Sequence, residues 1–150
     1  MPATHVRNAG ALRQELTDLK ALDSDQARTM PSGFYTSADF HALEKEHIFR
    51  REWVCLGHVG EVPNPGDFFT TDMLDEQLLV AHGQDGVIRV LSNVCRHRSM
   101  QVAEGNGQAR TFVCPYHAWT YELDGRLLRA PLMPDIDRSQ CGLPEFQSEV

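Results

Sequence analysis

Apolar positions recur at two different periods along this chain, and the change from one to the other divides it. Between residues 9 and 22, Leu12, Leu16 and Leu19 fall at helical spacing, which predicts a helix with Asn8 as its cap. A polar linker follows from Asp23 to about Pro31. A second helix is predicted from Ala38 to Arg51, capped by Thr36 or Ser37, with Asp39 in its first turn. From Gly66 onward the pattern shifts to short β-type runs separated by turn residues. Phe68–Thr71, Gln77–His82, Val87–Ser92, Thr111–Val113, Trp119–Leu123 and Arg126–Ala130 are predicted strands. Asn64-Pro65-Gly66-Asp67 reads as a turn, and Gly83–Gly86 as a hairpin connection. Regular short strands with tight turns imply a mainly β fold with N-terminal helices, its centre a small antiparallel β domain. The division expected is a helical lead-in over 1–50, a β domain over 51–133 and a proline-containing connector over 134–150. Phe146, Ser148 and Val150 alternate with polar residues, so the last segment reads as the start of a strand.

Composition narrows the class only a little. The chain has 150 residues, 41% of them apolar, which suits one globular domain with an extension. No apolar run reaches membrane-spanning length, and Met1–His5 lacks a signal pattern, so no membrane partner is expected. Four cysteines without a disulfide-rich look fit a reducing cytoplasm. A net charge of −7 argues against nucleic acid. The charge is uneven, however. Residues 87–129 hold six arginines against three acids, a net +3 in a chain that is acidic overall. Such a region suits an acidic partner, although chance variation of surface charge would read the same way.

The chemistry sits in two short boxes, Cys95-Arg96-His97 and Cys114-Pro115-Tyr116-His117, with sixteen residues between His97 and Cys114. Both boxes follow predicted strands, so both fall on loops. Two Cys and two His in this order suit a Rieske [2Fe–2S] cluster, in which two thiolates hold one iron and two imidazoles the other. The competing reading is zinc, since a Cys₂His₂ set also suits a tetrahedral ion. Zinc fingers, however, run two Cys and then two His, whereas each box here mixes one of each. A Cys95–Cys114 disulfide would leave the adjacent histidines unexplained. Glu44 and His47 have a spacing seen in carboxylate-bridged metal sites, but the single copy lies among charged residues and reads as a solvated face. His5, His41, His58 and His82 form no matching set. Cys55, in the apolar run from Trp53 to Leu56, is expected to be a buried, inert thiol.

The stretches Asn93–Arg98 and Cys114–Trp119 resemble the Rieske domain of ring-hydroxylating oxygenase α subunits. Arg51-Glu52-Trp53 and Leu123–Leu127 add to the likeness, which covers roughly residues 34–148. Respiratory Rieske proteins carry an extra Cys in each box. Neither box here has one, so the resemblance is to the low-potential oxygenase branch. Many members have Gly after C-x-H-R, where this chain has Ser99, a residue that tolerates positive φ less well. The resemblance implies Cys95 and Cys114 on the inner iron and His97 and His117 on the outer iron that takes the electron. Arg98, Tyr116 and Trp119 are the expected surrounding residues, with a Tyr hydroxyl or backbone N–H groups bonded to sulfur and Trp119 either covering the loop or simply filling the core. Reduction should favour protonation of the two imidazoles. It further implies electrons from an NAD(P)H-dependent reductase or ferredoxin, passed to mononuclear Fe(II) in a catalytic domain of the same or a neighbouring subunit, in a homotrimer or larger ring. The ligands of that second iron are not in this sequence. The C-terminal strand is where family members enter the catalytic domain, so the chain is expected to be a fragment. Two other functions compete: a stand-alone Rieske ferredoxin, against which the helical lead-in speaks, and a zinc-binding interaction module.

Overall fold

The computed structural model describes residues 9–150, and the expected cap Asn8 and the side chain of His5 lie outside them. The chain divides into two compact units, one ending at Val54 and the other spanning Cys55–Val150.

In the first unit the helical spacing is realised as α1 (Ala9–Lys20), with Leu12 fully buried and Leu16 and Leu19 half-buried. A short α2 (Gly33–Thr36) buries Phe34, whose ring meets Phe40 edge-on at 4.9 Å. The second expected helix begins at Ala38 because the Ser37 hydroxyl accepts the Phe40 N–H at 3.2 Å, satisfying an N-terminal donor. α3 (Ala38–Glu44) then widens into a π-helical turn over Lys45–Phe49, where Arg50 N–H reaches back to the Lys45 carbonyl at 3.1 Å. Apolar spacing registers a helix but not the extra residue that such a turn accommodates. His41 lies 3.5 Å from Glu44, and His47 is exposed.

The second unit holds two antiparallel sheets. β1 (Asp67–Met73), β2 (Glu76–His82) and β3 (Ile88–Ser92) form a meander, flanked by β4 (Asn106–Gln108) beside β1 and β8 (Glu145–Phe146) beside β3. β5 (Phe112–Val113), β6 (Thr120–Tyr121) and β7 (Leu127–Arg129) form the second sheet, with a bulge at Thr120/Tyr121. The turn before β1 is the expected one. The Asp67 carboxylate accepts the Asn64 N–H at 2.8 Å, and Gly66 takes φ +97°, which a side chain would resist. Register follows from alternation: Leu79, Ala81 and Leu91 face the main core, while Leu78, Val80 and Val90 face a second apolar cluster. Phe68 of β1 and Phe112 of β5 meet edge-on at 5.4 Å and join the two sheets across that core.

Three expectations change. β4 escapes the sequence because all three of its residues are exposed and polar or Gly; it forms through ladder bonds to β1, with Asn106 opposite Phe69. The segment 134–150 packs as part of the second unit. Its Leu143 is buried, Leu143 N–H donates to the Gly125 carbonyl at 2.8 Å, and Phe146 pairs with Val90. Cys55 is exposed, not buried, with its thiol 3.6 Å from the Gly57 carbonyl. The apolar run around it enters no strand, so nothing sandwiches it; Trp53 is 64% exposed and only Leu56 is half-buried.

Candidate metal centre

Each Cys/His box is bent by the same backbone frame. In the first, Cys95 N–H donates to the Met100 carbonyl at 2.8 Å and Ser99 N–H returns to the Cys95 carbonyl at 3.0 Å. In the second, Cys114 N–H donates to the Trp119 carbonyl at 2.8 Å and Ala118 N–H to the Cys114 carbonyl at 3.0 Å. Both frames close through a left-handed residue, Ser99 at φ +52° and Ala118 at φ +57°. The serine that departs from the resemblance therefore adopts the conformation glycine would favour. The frames differ only in where the histidine sits, two residues after Cys95 and three after Cys114.

The ends of the first loop are held by Asn93, the one buried polar residue among those described. Its Nδ2 donates to the Ala103 carbonyl at 2.8 Å, and its Oδ1 accepts the N–H groups of Val102 at 3.2 Å and Ala103 at 2.9 Å. Such a side chain acts as a staple across the loop mouth, because each bond replaces one water would otherwise supply.

The four box residues come together in pairs, cysteine with cysteine and histidine with histidine. Cys95 and Cys114 are buried, and the Cys95 thiol is close enough to influence that of Cys114. Burial pushes the Cys114 thiol above its usual range, Cys95 adds to this, and the N–H groups of Tyr116 and His117 directed at the sulfur oppose it. The rings of His97 and His117 meet edge-on, with centroids 4.7 Å apart. His97 Nδ1 is buried without a partner, and burial, then His117 and Arg98, lower the affinity of the ring for a proton. A neutral imidazole with a buried lone pair is the form that binds metal.

Around these groups, Trp119 is buried with its indole stacked on His97 at 4.9 Å and an interplanar angle of 5°. Tyr116 is 58% exposed and lies on His117 at 3.8 Å between centroids. Arg98 is exposed. The tyrosine that reaches a box sulfur is Tyr121 of β6, which the sequence reading did not single out. Its hydroxyl lies 3.2 Å from Cys95 Sγ and 3.1 Å from the Arg96 backbone N–H. The Arg96 N–H must donate, so the Tyr121 oxygen accepts there and its own hydrogen is left for sulfur. Burial, then the nearby Cys95, hold the phenol above its usual range, so it keeps that hydrogen. Tyr121 could have been noticed as the second inward position after Trp119 in the predicted strand.

The donors lie two and two, a thiol pair and an imidazole pair. A tetrahedral zinc wants four donors about one centre, whereas a [2Fe–2S] cluster takes two sulfurs on one iron and two nitrogens on the other. The buried Nδ1 of His97 and the two buried thiols fit that group.

Comparison with known proteins agrees. Residues 52–146 match the model of the Rieske [2Fe–2S] domain. The chain is 42% identical over 107 residues to the carnitine monooxygenase oxygenase subunit of Acinetobacter baumannii, covering 71% of this chain and 29% of that protein. It is 37% identical over 116 residues to the benzene 1,2-dioxygenase subunit alpha of Pseudomonas putida, covering 77% and 26%. Among solved structures, naphthalene 1,2-dioxygenase from Rhodococcus sp. bound to indole superimposes with a TM-score of 0.79 at 34% identity, over 91% of this chain and 31% of that one. A quaternary ammonium Rieske monooxygenase in complex with L-carnitine gives 0.76 at 36% identity, over 82% and 36%. The chain thus spans less than a third of the length of these curated relatives. It belongs to the Rieske [2Fe–2S] domain family and corresponds to the Rieske part of oxygenase α subunits.

Proposed function

We propose that this chain is the electron-relay part of a Rieske oxygenase, with Cys95, His97, Cys114 and His117 as the cluster ligands. The observation that carries this reading is the convergence of two identically framed loops on a buried thiol pair and an imidazole pair. When bound, a [2Fe–2S] cluster supplies one-electron transfer, and replacing thiolates by neutral imidazoles raises its potential above that of an all-cysteine cluster. The protein's own residues do the rest. Cys95 and Cys114 anchor from inside the core. Asn93 and the two loop frames fix the spacing of the donors. His97 and His117 supply the imidazole pair, their rings meeting edge-on at 4.7 Å.

The donor of electrons is a reductase or ferredoxin with an acidic face. Of the six arginines in the basic region, Arg89 pairs with Asp85 and Arg126 with Asp124. Arg96, Arg98, Arg110 and Arg129 are exposed and, among the described residues, make no ion pair. Arg96 and Arg98 sit on the first box itself, beside exposed Met100. Apolar contact edged by positive charge suits a transient partner of opposite sign. The acceptor is mononuclear Fe(II) in a catalytic domain of the same or a neighbouring subunit, in a trimeric or larger assembly. Similarity to a carnitine monooxygenase oxygenase subunit and a benzene 1,2-dioxygenase subunit alpha supports an oxidation driven by O₂ as the reaction served. An exposed thiol at Cys55 fits the reducing cytoplasm. Among the described residues no helix is long and apolar enough to cross a membrane.

The test is reconstitution with iron and sulfide. The expected product is coloured, is reduced by one electron, and in pulsed EPR shows two imidazole nitrogens coupled to the reduced centre. Both couplings should change when His97 and His117 are replaced in turn. A colourless protein that takes up one zinc per chain would end the proposal.

A further inference from the structure

The indole of Trp119 has a relation to the site that core filling does not require. Its backbone belongs to the second loop frame, since its carbonyl accepts the Cys114 N–H at 2.8 Å. Its ring, however, lies on the histidine of the first loop. The two planes are 5° from parallel and their centroids 4.9 Å apart. The other ring against His97 is His117, at 69° and 4.7 Å. His97 is therefore held flat on one side by an indole and met edge-on by an imidazole, both supplied by the opposite loop. Tyr121, one strand further on, grips the same first loop at Cys95 and Arg96. The second loop and its strand thus brace the first at the sulfur ligand and at the nitrogen ligand separately.

An imidazole on a surface loop rotates about two side-chain bonds, and its lone pair sweeps with it. Stacking on a fixed, fully buried plane removes most of that freedom. Trp119 is 2% exposed, so its own ring is held by packing on every side. The consequence falls on His97 Nδ1, which is buried and unpartnered in that orientation.

We propose that Trp119 is a positioning residue for His97: by stacking across the loops it fixes the plane in which Nδ1 is presented to iron. This rests on the ligand assignment above. It adds that the nitrogen ligand of the first loop is oriented by an aromatic face of the second, where metal-bound histidines are more often oriented by a hydrogen bond to their other nitrogen.

Three variants of the iron–sulfur-loaded protein separate this from core filling. Trp119→Phe keeps an aromatic face and removes the indole N–H, which is itself buried and unpartnered. Trp119→Leu removes the face. Leu123→Ala, at a buried position of the same core, lowers stability and removes neither ring that lies against His97. Trp119→Leu should alter the EPR g-anisotropy of the reduced cluster and the nitrogen coupling assigned to His97. It should also speed chelator-driven loss of the cluster about tenfold, the lower end of what losing a ligand-orienting partner does to metal retention. Trp119→Phe should keep the wild-type spectrum, and Leu123→Ala should keep it while melting earlier. In metal-free protein, the His97 ring protons should lose their aromatic ring-current shift in Trp119→Leu and retain most of it in Trp119→Phe. A Trp119→Leu protein with wild-type EPR and cluster retention would make Trp119 mere filling and overturn the proposal. So would a Trp119→Phe protein as altered as Trp119→Leu, because the N–H and not the face would then be at work. If His97→Ala left both nitrogen couplings intact, the ligand assignment would fail instead, a result distinct from either.

Discussion

Replacing Tyr121 by Phe removes one oxygen and, with it, two hydrogen bonds of different kinds. The bond accepted from the Arg96 N–H, at 3.1 Å, belongs to the fold. Losing it leaves a half-buried donor short of a partner and should destabilise the domain by about 1–3 kcal/mol. The bond to Cys95 Sγ, at 3.2 Å, belongs to the chemistry. Hydrogen bonds to ionised acceptors contribute about 1.5–3 kcal/mol, and only the part that differs between oxidation states moves a potential. The sulfur carries more negative charge when the cluster is reduced, so the bond favours the reduced form. Taking about half its strength as that difference gives about 0.75–1.5 kcal/mol, or a fall of about 30–65 mV for a one-electron couple. Burial and Cys95 keep the phenol protonated, so the fall should be the same at every pH at which the protein is folded. The assay is a mediated redox titration of the reconstituted protein, wild type against Tyr121→Phe, read by visible circular dichroism. A potential that stays put or rises would refute the assignment of the Tyr121 hydrogen to sulfur, whatever happened to the melting temperature.

Three further outcomes follow from the same structure. The Asp85 carboxyl is held near pKa 2 by hydrogen bonds from Arg89 and the Val87 N–H, against 3.8 in the unfolded chain. The stability it adds is therefore complete above pH 3.8 and lost as pH falls toward 2, so the gap in urea midpoint between wild type and Asp85→Asn should close across that window and stay open above it. Ser99 and Ala118 occupy left-handed backbone at φ +52° and +57°, a strain of about 1–2 kcal/mol each, of which glycine would return part after its own entropic cost. Each Gly variant should melt no lower than wild type in calorimetry, and a lower melting point would count against the strain. In metal-free protein a thiol reagent should label Cys55 first and the buried Cys95 and Cys114 slowly; Cys55→Ser should leave cluster assembly intact, whereas Cys95→Ser or Cys114→Ser should abolish it.

The strands with two-residue alternation were legible because their pattern is the core itself. Leu79, Ala81 and Leu91 on one face and Leu78, Val80 and Val90 on the other were enough to place β2 and β3 within a residue of their ends. What stayed hidden had no side-chain signal. β4 is Asn-Gly-Gln, and only the backbone of β1 calls it into the sheet. The π-helical turn after Glu44 differs from α-helix by one residue of hydrogen-bond register, to which apolar spacing is blind. Cys55 is the opposite case: an apolar run implies burial only where a second surface covers it, and this segment enters no sheet.

The centre shows the same division between chemistry and placement. The proposed ligand residues announce themselves, because few other arrangements explain a Cys and a His twice at short spacing. The groups that set their environment do not, because each acts from another segment. Tyr121 lies 26 residues beyond Cys95 and touches it across the core. Trp119 closes the frame of one loop and covers the histidine of the other. Asn93 looks like a strand end and serves as the staple of a loop. The two boxes also differ by one residue between Cys and His, which in sequence looks like a flaw in a repeat. With the same turn drawn around each cysteine, that offset puts the two histidines at different points of identical frames, so their rings meet edge-on at 4.7 Å in place of mirroring one another. Two like frames that differ in where the histidine sits thus hold a thiol pair and an imidazole pair, the arrangement that a cluster with one sulfur-bound and one nitrogen-bound iron would use.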